Sequence, residues 1–202
     1  MRIGLRCRMV ALALVTAVTA AAAHVPPQRS AAELMDVLMW NREPIGGPFA
    51  LIDEKGRQRT DKDFRGKLML VYFGYTTCPD VCPTDLQQIG AAIESLGKAG
   101  DAIQPLFITL DPARDTTKRL AAYVAPFHAR LVGLGGSDFA VRKAADAYRV
   151  YFKKVPIGTE GDYGIEHAAF IYLMDREGKY LGYFPPGTSA ARMVEVIRPH
   201  LP

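Results

Sequence analysis

"KLMLVYFGYTTCPDVCPTDLQQIGAAIESLG", residues 67–97, decides the fold. Its first nine residues, 67–75, form a nearly continuous apolar run, as expected of a strand buried on both faces. From Pro83 the pattern changes to helical periodicity, with Leu86, Ile89 and Ile93 on one side and Gly97 closing the helix. Between strand and helix stand Cys78 and Cys82, the only cysteines outside the extreme N-terminus.

The pattern extends in both directions. Residues 48–53 ("PFALID"), the turn "EKGR" and the segment after it read as a hairpin. Residues 104–111 ("QPLFITLD") read as a second buried strand and 116–124 as a helix, and "ARLVGLGG" is a short strand or turn. Ser137 is an N-cap before another helix. "HAAFIYLMD" (167–175) reads as a strand, followed by the turn "REGK", by "YLGYFPP" and by a final helix from Thr188. Strand, helix, strand, insertion, hairpin and terminal helix predict a three-layer α/β domain. It runs from Pro48 to Pro202, without internal repeats.

The chain of 202 residues is long enough for one domain with a sizeable core. Its net charge is +4, but Arg2, Arg6 and Arg8 supply three of those charges. Beyond residue 23 the balance is 22 basic against 21 acidic side chains, with no basic run to track phosphates, so nucleic-acid binding is not expected. Three arginines, the apolar run from Met9 to Ala23 and small residues at 21–23 read as an export signal over residues 1–23, with an arginine-rich organelle presequence as the weaker alternative. The 15-residue run is shorter than the roughly 20 residues of a membrane-spanning helix, so cleavage is favoured over a permanent anchor. Cys7 leaves with the signal. Residues 24–47 form a linker, in which Met35, Met39 and Trp40 have the spacing of a packing patch.

Export gives the two remaining cysteines an oxidising surrounding. A structural disulfide closing so small a loop adds little stability, because it removes little chain entropy. The pair follows a buried strand and opens a helix, where unpaired N–H groups and the dipole favour a thiolate at Cys78. With Pro79 in the first turn and the helix beginning at Cys78, the two sulfurs lie at i and i+4, with Cα atoms ~6 Å apart. That spacing allows either a redox couple or a chelate.

A third ligand would decide between them. His24 and His200 lie near the termini and His128 at a surface helix end, whereas His167 stands immediately before a core strand. Two thiolates and one imidazole make a soft site suited to Cu(I), tolerant of Cu(II), and short of the fourth ligand zinc prefers. Asp80 and Asp85 read as caps or dipole partners and Glu166 as a solvated loop charge.

"FGYTTCPDVCPTDL" (73–86) resembles the signature of the SCO/SenC copper-chaperone family. The similarity extends to "GGPFALID" (46–53), "DFRGKLMLVYFGY" (63–75), "TLDPARDT" (109–116) and the His-bearing strand, covering essentially all of the chain from Gly46. The resemblance implies a thioredoxin-like fold with an added N-terminal hairpin and an insertion, and a copper site of Cys78, Cys82 and His167. It also implies a role in cytochrome c oxidase assembly: delivery of copper to the binuclear centre of the oxidase's copper-bearing subunit, reduction of that centre's cysteines, or both. Such a role needs a thiol reductant and a copper donor as further partners. Two departures stand out. Glu166 and Ala168 flank the histidine where the family usually places Asp and then Ser or Thr, which removes a hydroxyl able to orient the ring. Thr117 stands where proline is common, a difference confined to a helix start.

Overall fold

The computed structural model describes residues 45–158 and 162–202. The leader read at 1–23, with Cys7, and the linker up to residue 44, with His24, Met35, Met39 and Trp40, lie outside the described residues. Among the described residues no helix is long and apolar enough to cross a membrane.

The apolar run after Lys67 forms the central strand β3, Leu68–Gly74, with every residue buried. Strands alternate their side chains between two faces. Met69, Val71 and Phe73 accordingly enter one apolar cluster, while Leu68, Leu70 and Tyr72 enter another on the opposite side. A strand that must be covered twice needs helices on both faces, and the chain supplies them.

The main sheet has seven strands, which lie across it in the order Gln58–Thr60, Ala50–Asp53, Val132–Gly135, Ile103–Thr109, Leu68–Gly74, Ile171–Met174, Tyr180–Phe184. The N-terminal hairpin is β1 (Ala50–Asp53) and β2 (Gln58–Thr60), as the sequence predicts. Parallel to β3 runs β4 (Ile103–Thr109), and beside it β5 (Val132–Gly135). β8 (Ile171–Met174) pairs antiparallel with the other side of β3, and β9 (Tyr180–Phe184) completes that edge.

Helices α1 (Val81–Ser95), α2 (Thr117–Val124) and α4 (Ala190–Ile197) cover one face, contributing Leu86, Leu120 and Met193 to its core. α3 (Asp138–Ala147) covers the other through Val141 and Ala144. The N-caps at Thr116, Ser137 and Ser189 each accept a backbone N–H from the first turn. Gly97, at φ +55°, follows α1 in the left-handed conformation that glycine takes without strain. This is a thioredoxin-like α/β fold.

Three expectations are corrected. The helix that carries Cys82 begins at Val81, its N-cap Asp80 lying outside the α region (φ −142°, ψ −68°), so Cys78 precedes the helix and does not open it. The last helix begins at Ala190, with Ser189 as its cap. The stretch 167–175 is two strands rather than one. His167 ends β7 (Tyr163–His167), which pairs with β6 (Phe152–Pro156) in a separate two-stranded sheet, and β8 starts only at Ile171.

Candidate functional site

The cysteine loop leaves the carboxyl end of β3, the edge of an α/β sheet where ligand sites typically form. The Cys78 amide donates to the Tyr75 carbonyl (3.1 Å), closing a tight turn that sets the first sulfur beside the strand end. Cys82 lies one turn further on, inside α1 and fully buried, while Cys78 is half-buried and both thiols are free. Gly74 makes the room. A Cβ there would lie 2.9 Å from Sγ of Cys82 and 3.0 Å from the Phe107 ring, so a larger residue would displace the sulfur.

The two thiols differ in acidity. A hydrogen bond from the Cys82 thiol, joined by the Cys82 and Asp80 amides at the helix start, lowers Cys78 to about 5 against the opposing effect of burial. Cys82 is pushed far up, first by its hydrogen bond to Cys78 and then by burial. The first proton therefore leaves from Cys78, as the sequence predicts, although the neighbouring thiol contributes more than the helix start.

His167 arrives from the β6–β7 hairpin. Its Nε2 stands 3.9 Å from Sγ of Cys82, and its ring meets Tyr75 edge-on at 6.0 Å between centroids. Burial lowers its pKa below the usual imidazole value, so at neutral pH the ring is uncharged and has a lone pair to offer. The buried Nδ1 has no hydrogen-bond partner among the described residues. That agrees with Ala168 supplying no hydroxyl.

Among the described residues no group of three or more His, Cys, Asp or Glu side chains stands close enough together to hold a metal ion as it is. The donors nevertheless suit one soft ion. Cys82 and His167, with Cys78 beside them, are the residues that would hold it, and the 3.9 Å gap between the Cys82 sulfur and the His167 nitrogen is one that a single bound ion could span. Both free thiols and a neutral imidazole supply the soft donor set that Cu(I) accepts.

The carboxylates sort differently from the sequence reading. Asp80 occupies the N-cap position, but its side chain caps nothing. Its carbonyl instead accepts from the Thr84 hydroxyl at 2.9 Å. Asp85 is no cap: it is fully buried beneath the cysteines, where its Oδ1 accepts the Gly187 amide at 2.8 Å. Burial raises its pKa, and neither its Oδ2 nor the neighbouring Tyr72 hydroxyl has a well-formed partner among the described residues. The helical spacing from Cys82 through Asp85 and Leu86 to Ile89 was the available signal, since all four share the buried face of α1. Glu166 is exposed as expected, though on a strand, opposite Lys153. Neither remaining described histidine joins the site: His128 accepts the Arg130 amide at 3.1 Å, and His200 lies exposed in the last turn.

The sequence profile of the SCO1/SenC family matches residues 39–201. Among curated proteins, the mouse mitochondrial SCO2 homolog is 42% identical over 157 residues, which are 77% of this chain and 62% of that protein. The chain thus spans about three-fifths of that relative's length. Among solved structures, copper-bound ScoI of Bradyrhizobium japonicum is 42% identical, with a TM-score of 0.72 over 78% of this chain and 99% of that one. Copper-bound ScoI of Arabidopsis thaliana is 36% identical, with a TM-score of 0.73 over 77% and 97% of the two chains. A profile matched across four-fifths of the sequence, on a backbone that superposes with these structures, makes this chain a member of the SCO1/SenC family.

Proposed function

We propose that this protein is a copper carrier that binds one ion through Cys78, Cys82 and His167 and delivers it to the binuclear copper centre of cytochrome c oxidase. The observation that supports this most strongly is the 3.9 Å approach of the His167 Nε2 to the buried Cys82 sulfur. Binding needs the dithiol, since a Cys78–Cys82 disulfide has no thiolate to give. A thiol reductant and a copper donor are therefore required partners. The half-buried Cys78 is the ligand an acceptor reaches first, so release proceeds by stepwise exchange, with Cys82 and His167 the last to let go. The arginine-bearing apolar leader supports export, with the folded domain working in the periplasm at the outer face of the membrane that holds the oxidase.

A second reading has its own support in the lowered pKa of Cys78. As a thiol–disulfide oxidoreductase, the protein would use the Cys78 thiolate to attack an acceptor disulfide, releasing one acceptor thiolate and forming a mixed disulfide. Cys82, losing its proton to that leaving thiolate, would then displace the second acceptor sulfur and close the Cys78–Cys82 disulfide. Acceptor cysteines are reduced and the protein is oxidised by the same two electrons.

The test mixes copper-loaded protein with an apo acceptor domain bearing two cysteines and histidines, and separately mixes copper-free dithiol with the oxidised acceptor. Copper transfer in the first mixture supports the carrier. Rapid reduction in the second, with no copper retained by the protein, replaces the carrier with the reductase.

A further inference from the structure

The histidine hairpin is not a strand of the main sheet, and a lone two-stranded ribbon has little stability of its own. Something must fix where β7 carries His167. The loop after β4 holds buried charged groups that the copper reading does not use: Asp111 and Asp115 are 0% and 4% exposed. Each grips a different half of the site.

Asp115 holds the cysteine side. It accepts from the Thr76 amide at 2.9 Å and from the Thr76 hydroxyl, two residues before Cys78, while the Thr109 hydroxyl at the end of β4 donates to it at 2.6 Å. Asp111 and Arg114 hold the histidine side through Tyr163. The Tyr163 hydroxyl donates to Asp111 at 2.8 Å, and Arg114 Nη1 donates to the Tyr163 carbonyl at 2.9 Å. The Arg114 guanidinium lies 3.8 Å over the Tyr163 ring and pairs through Nε with Asp111. A guanidinium that stacks, donates and pairs at once fixes a strand in a way that a lysine ammonium does not.

Tyr163 and His167 are four residues apart on one strand, so they share a face and stand roughly 13 Å from each other. The residue between them on that face, Ile165, is buried in the core. Gripping Tyr163 therefore sets the height and tilt at which His167 meets the sulfurs.

We infer that Arg114 is a positioning residue for the metal site: clasped to Asp111 and Tyr163, it holds β7 so that the His167 imidazole stays in register with the cysteine pair. Arg114 touches no donor atom and acts only through the histidine. This inference rests on the copper reading and adds to it the element that pre-organises the third ligand.

The experiment titrates fully reduced protein with Cu(II), using a competing chelator, and records thiolate-to-copper absorption together with nitrogen hyperfine coupling by electron paramagnetic resonance. The proteins are wild type, Arg114→Ala, His167→Ala and the double variant. Arg114→Ala is expected to weaken binding roughly ten-fold and to diminish the nitrogen coupling while thiolate absorption persists, as loss of an outer-sphere support does. In the His167→Ala background the same change is expected to add nothing, because its effect has no other route. Tyr163→Phe, which keeps the ring and loses only the hydroxyl, is expected to move the same two signals by a smaller factor, and it stands in should Arg114→Ala not fold. Equal weakening by Arg114→Ala with and without His167, or wild-type binding by both Arg114→Ala and Tyr163→Phe, overturns the inference. Should His167→Ala itself bind like wild type, the copper reading is what has failed.

Discussion

The Nε2 of His167 stands 3.9 Å from the sulfur of Cys82, although 85 residues separate them in the chain. The meeting depends on a hairpin outside the main sheet and on a sulfur buried to 0% exposure beside a glycine. Gly74→Ala tests the second condition, since its new Cβ would meet the Cys82 sulfur at 2.9 Å. The expected outcome is a loss of about 1–3 kcal/mol in thermal unfolding and weaker copper binding than wild type. Unchanged stability and unchanged binding would show that the sulfur is not confined by the strand end.

The two thiols are expected to react unequally. Native reduced protein treated with iodoacetamide at pH 7 takes up one equivalent, at Cys78, with a rate that falls as the pH drops through about 5. Cys82, buried and strongly protonated, reacts only after denaturation. Peptide mapping by mass spectrometry checks this, and early labelling of Cys82 contradicts it.

Acidity also sets how the stability of the reduced protein varies with pH. Cys78 is lowered to about 5 from an ordinary thiol value of 9.0, so between those limits the unfolded chain binds the extra proton. Its contribution is complete above 9.0 and disappears as the pH falls through about 5. Cys82 acts oppositely, since its raised pKa makes the folded form the more proton-bound one at alkaline pH. Urea unfolding of the dithiol is expected to show a thiol contribution that rises from pH 5 towards 9 and declines beyond, a shape that Cys78→Ser removes from the acid side.

Asp85 provides a separate check on the buried face of α1. Its carboxyl pKa is raised by burial, so the folded state keeps the proton longer and ionisation costs stability as pH rises above the usual carboxylate value. Asp85→Asn keeps an oxygen for the Gly187 amide and has no charge to bury, so its stability at pH 7 is expected to equal or exceed that of wild type. Asp85→Ala leaves that amide unpaired and is expected to lose about 1–3 kcal/mol. Asp85→Asn proving the worse of the two would show that the carboxylate charge itself is needed.

The sequence carried the central strand, the hairpin at 50–60 and four helices, because each depends on local signals: two-faced apolarity at Leu68–Gly74, or a capping Ser or Thr before an amphipathic stretch. The candidate ligands were also legible, the cysteines by their place after that strand and His167 by its nearness to a second one. The hairpin that carries His167 was not. β6 is half-exposed, with Lys153 and Lys154 side by side, so neither face of "FKKVP" shows an apolar alternation. Nor did composition reveal Asp85 as a core residue or Asp111, Arg114 and Tyr163 as one cluster. Charged side chains become buried only when distant partners satisfy them, and Tyr163 lies 52 residues from Asp111.

The most direct measurement of the central claim is X-ray absorption of the one-to-one copper complex of reduced protein, made with wild type and with His167→Ala. Wild type is expected to show one copper bound by two sulfurs and one imidazole nitrogen. In His167→Ala the two sulfurs remain and the imidazole scattering is gone. Identical spectra from the two proteins would contradict that assignment, leaving His167 a neighbour of the cysteines and not a ligand.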